Sequence, residues 1–166
     1  WPAMDPTQPQ GVGHEPPETT AEDVLARALA ALAVWATLSG IDPARAISQL
    51  AGLVVQQRVC ALLGLQMAEK GVLPAWDATD GAGRTYLIKA RASSEQRGTA
   101  FDFAPGHTFD EALLVLYDPS DLALVEVWRM DRDAVLRYAN RNRDRLALMW
   151  PRSRQFAKLV FARDVV

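Results

Sequence analysis

Asp77 and Lys89 are the residues whose types and spacing best suit chemistry. Both lie in "WDATDGAGRTYLIKARA", residues 76–92, which alternates like two short strands around a Gly-rich turn. A carboxylate on one arm and an amine on the next are the acid and base of a metal-dependent site, or only a hairpin with a charge on each arm. Register decides between them, because strand side chains alternate between faces. A two-residue loop, Gly81–Ala82, sets Asp77 opposite Tyr86 and turns Lys89 to the other face. A three-residue loop, Gly81–Ala82–Gly83, with Gly83 left-handed, sets Asp80 opposite Arg84 and Asp77 opposite Leu87. Lys89 then lies one diagonal step from Asp77, at about 7–8 Å on the same face. A shared site requires the second register.

Other reactive side chains have weaker settings. Cys60 is the single cysteine and sits in an apolar helical pattern, which predicts a buried core residue without a disulfide or zinc role. His107 follows "APG" in a loop with no paired nucleophile, and His14 falls in a tail. Ser93 and Ser94 lack the Gly-x-Ser-x-Gly setting of a nucleophile. "DGAGR" lacks the Gly-Lys-Ser/Thr ending and following helix of a phosphate loop. Trp35, Trp76, Trp128 and Trp150 are expected in the core rather than as base-stacking platforms.

The elements that must position these residues follow from periodicity. Residues 1–18 are rich in Pro, Gly and Gln and read as a flexible tail, with Met4 as a natural start. A helix begins at "TTAED", with Thr19 and Glu22 as a capping box, and ends at Gly40. A second helix starts at "IDPARA", with Asp42 as cap and Pro43 in its first turn, and stops near Gly71, with Gly52 or Gly64 bending it. After Gly71 the period changes to two. "LPAWDAT", "RTYLIKARA", "EALLVLYD", "LALVEVWRM" and "RLALMW" read as strands, and Asp131 caps a short helix, "RDAVLRYANR". "SSEQRGTAFDFAPGH" reads as a polar loop, and "SRQFAKLVFARDVV" as a fraying helix. The expectation is one domain over residues 19–166: a helical part at 19–71, then sheet and C-terminal helices at 72–166.

The 166 residues are 49% apolar and 23% charged, which suits one packed core. No apolar run approaches the roughly 20 residues of a membrane helix, and no secretory signal is visible, so a cytoplasmic protein with no membrane partner is expected. The net charge of −2 hides an asymmetry: residues 1–128 hold 8 Lys+Arg and 16 Asp+Glu, and residues 129–166 hold 10 and 4. A basic end suits a phosphate-binding surface or a solvated arginine-rich one. Arg91, Arg97, Arg129 and Arg132 are the candidates to line a nucleic-acid backbone groove beside the hairpin.

The helix "VVQQRVCALLGLQM" followed by "WDATDGAGRTYLIKAR" resembles the PD-(D/E)xK nuclease superfamily over roughly residues 50–130. The resemblance implies an α/β, restriction-endonuclease-like fold: a mixed central sheet flanked by helices, here with an N-terminal helical extension. It implies a Mg²⁺-dependent DNA phosphodiesterase in which Asp77 binds metal, Lys89 orients water, and Gln56 (or Gln57) takes the place of a helix Glu. Leu87 stands where the superfamily has a second ligand, with Asp80 and Glu69 as substitutes nearby. A degenerate DNA-binding relative in genome defence or repair is the companion expectation. A catalytically inactive protein-interaction or homodimerisation module built on the apolar helices 20–70 is the alternative.

Overall fold

The computed structural model describes residues 19–68, 76–93, 100–142 and 144–163. The tail at 1–18 with Met4 and His14, together with Glu69, Gly71, Ser94 and Arg97, lies outside the described residues. Two helices come first, α1 (Ala21–Leu38) and α2 (Pro43–Leu63). The remaining elements are β1 (Gln66–Met67), β2 (Ala78–Thr79), β3 (Thr85–Ala92), β4 (Ala100–Phe103), β5 (Glu111–Tyr117), β6 (Leu124–Asp131), α3 (Arg132–Tyr138), β7 (Asn140–Asn142), β8 (Arg145–Met149) and β9 (Lys158–Ala162). The class is mixed α/β, as expected.

Six strands form one sheet in the order β1-β2-β3-β5-β6-β9, parallel only between β3 and β5. Three more form a small antiparallel sheet, β4-β8-β7. The strand β5, "EALLVLY", is almost wholly buried because it is covered on both sides. Its alternate residues divide the core. Leu113, Val115 and Tyr117 meet Val55, Val59 and Cys60 of α2. Ala112, Leu114 and Leu116 meet Phe101, Phe103, Leu146 and Leu148 of the small sheet. The order of layers is therefore α1, α2, main sheet, small sheet.

Several boundaries differ from expectation, each for a local reason. The capping box is one residue later: the Asp23 N–H donates to Thr20 Oγ1 at 3.1 Å and the Thr20 N–H to Asp23 Oδ2 at 3.0 Å. Gly40 does close the turn after α1, at φ +67°. Gly64, at φ +65°, ends α2 rather than bending it, and the Leu65 N–H donates back to Cys60 O at 2.9 Å. The "polar loop" contains β4, whose Phe101 and Phe103 are buried while Asp102 faces out. The last segment forms a 3₁₀ turn (Arg152–Phe156) and then β9 instead of a helix, because "KLVFA" pairs with the free edge of β6. No helix among the described residues is long and apolar enough to cross a membrane.

Candidate functional site

The hairpin adopts the three-residue loop. The Gly83 N–H donates to Asp80 O and the Asp80 N–H to Arg84 O, both at 3.0 Å, and Gly83 sits at φ +80°. Ala78 then pairs with Tyr86 and Thr79 with Thr85. Asp80 is spent on the turn. Its Oδ1 accepts from the Arg84 N–H at 2.9 Å and the Ala82 N–H at 3.0 Å, and its Oδ2 from the Tyr86 hydroxyl at 3.0 Å. These bonds, the Arg84 N–H foremost, hold its carboxyl below the usual range. Burial, and then the bond to Asp80, push the Tyr86 hydroxyl up.

Beyond Ala78 the ladder breaks. Ala78 is the register partner of Tyr86, yet the Asp77 N–H also donates to Tyr86 O, at 2.8 Å. Two residues now oppose one, which is a β-bulge. The half-buried Asp77 carboxylate accepts from the Ile88 N–H at 2.7 Å through Oδ2. It also lies near α2: the Cys60 thiol is pushed up by burial first and by the charge of Asp77 second. Cys60 itself is buried, as expected.

Lys89 goes elsewhere. Its Nζ stands over the Phe103 ring, 5.8 Å from the centroid, against the small sheet. The expected Asp77–Lys89 pair is not made, and Lys89 has no carboxylate partner among the described residues. The turn did choose the register that a shared site required, but the bulge at Asp77, three residues before Asp80, undoes its consequence. Gln56 is half-buried on α2, one helical turn before Cys60, and Gln57 is exposed.

The described residues do not make a magnesium cage. Mg²⁺ wants near-octahedral oxygen donors, carboxylates first. Here one carboxylate has an oxygen committed to a backbone N–H, and the position two before Lys89 is Leu87, 3% exposed in the core. Among the described residues no group of three or more His, Cys, Asp or Glu is arranged to hold a metal ion.

The proposed arginine groove is not formed as one surface. Arg91 donates through Nε to Ala100 O at 3.0 Å and lies 3.5 Å from Asp102, on the small-sheet side. Arg129 is paired in register with Leu113, which faces α2, and lies 3.5 Å from Glu111. Glu111 also takes Arg84 at 3.1 Å. Arg132 opens α3, its N–H donating to Asp110 O, with its Nε buried and without a hydrogen-bond partner. Cross-strand partners share a face and alternate residues do not, so Arg91 and Arg129 are held on opposite sides of the main sheet.

The largest unspent feature is apolar. Fourteen of the eighteen residues of α1 are apolar, yet only Leu29 and Ala36 are buried. Trp35, expected in the core, is 54% exposed, and Leu38 is 83% exposed. Val24, Val34, Ile41, Leu50 and Leu53 extend the exposed surface over both helices. A groove of about 570 Å³ between the helices is lined by Leu32, Trp35, Ile41, Arg45, Ala46 and Leu50. The signal was legible: α1 carries more apolar residues than one contact face can bury. No family model matches the chain, and no curated protein is significantly similar to it in sequence.

Proposed function

We propose that this domain is a catalytically inactive protein-interaction module, whose binding surface is the outer face of α1 and α2. The observation that carries this reading is the water-facing apolar surface of Val34, Trp35, Leu38, Ile41, Leu50 and Leu53. Contiguous patches beyond about 300–600 Å² mark interaction sites on soluble proteins. In this reading the hairpin is the remnant of a PD-(D/E)xK site. It keeps Asp77 and Lys89 by type, but Asp77 serves the backbone, Lys89 serves an aromatic contact, and Leu87 serves the core.

A second reading, a DNA-binding relative, draws on exposed Arg141, Arg145 and Arg152 around the small sheet. One set of measurements separates the readings. An interaction module shows no Mg²⁺- or Mn²⁺-dependent DNA cleavage and no salt-dependent DNA affinity. Its dilute monomer binds an apolar fluorescent dye, and Trp35→Glu with Leu38→Glu suppresses that binding while the far-UV circular dichroism is retained. Cleavage abolished by Asp77→Ala or Lys89→Ala overturns the proposal. DNA affinity that falls steeply with salt transfers the function to the arginines.

A further inference from the structure

We draw no further inference here: the strongest candidate, the apolar groove between α1 and α2 lined by Leu32, Trp35, Ile41 and Leu50, belongs to the surface already described, and nothing in the structure shows what covers it.

Discussion

At the scale of single residues, Leu87 and Gly83 carry the argument. Leu87 is two positions before Lys89, where a nuclease needs a metal ligand, and it is 3% exposed against Phe101, Phe103 and Leu114. A carboxylate placed there has no partner and little water. Leu87→Glu should therefore lower stability by about 3 kcal/mol or more and create no metal site. Urea denaturation with and without Mn²⁺ checks this, and a midpoint that rises with Mn²⁺ would count against it. Gly83 occupies the left-handed region with nothing within 4 Å of a would-be Cβ. The cost of Gly83→Ala is thus purely conformational, about 1 kcal/mol, while Gly81→Ala should be nearly neutral. Equal effects at the two positions would mean that the loop is not as described.

At the scale of elements, the hairpin and the start of β5 are tied by two carboxylates. Asp80 holds the turn, and Asp110 Oδ2 accepts from the Thr85 N–H and hydroxyl, both at 2.8 Å. Both groups are held below the usual carboxylate range, Asp80 chiefly by the Arg84 N–H and Asp110 chiefly by the Thr85 N–H. A folded value below the unfolded one means the unfolded chain binds protons first as pH falls. The stabilisation is full above about pH 4 and is lost as pH drops through the depressed values. Melting temperature should stay level for these groups from pH 7 to about 5, then fall in acid, and Asp80→Asn should flatten part of that fall. An acid limb unchanged by Asp80→Asn would contradict the assignment. This turn was legible in the sequence because Gly83 and Asp80 act locally. The strand β4 was not, since a single pair of alternating phenylalanines in a polar stretch is too short a pattern to register.

At the scale of the whole molecule, stability rests on one strand covered from both sides. Leu114 of β5 is fully buried between the main and small sheets, and Leu136 of α3 is 42% exposed. Leu114→Ala should cost about 3 kcal/mol through lost transfer and a residual cavity, against about 0.5 kcal/mol or less for Leu136→Ala. Chemical denaturation measures both, and comparable losses would mean that β5 is not the centre of the core. Layering also explains the outer helix. Because α2 takes the sheet, α1 reaches water on the stripe of Trp35 and Leu38.

The sequence by itself determined what depends on neighbours along the chain. Periodicity set both helices, β3, β5 and β6; Gly83 set the hairpin loop; Asp131 set the cap of α3, accepting from the Ala134 N–H at 2.7 Å. Tertiary structure decided what depends on which surface meets which. It placed the bulge that gives Asp77 to Ile88 rather than to Lys89, and it divided Arg91 from Arg129 across the sheet. It also drew β9 to the edge of β6 and left Trp35 in water. Alternation along a strand is a local property, whereas burial and pairing belong to the partner surface, and a single sequence carries no direct record of that partner.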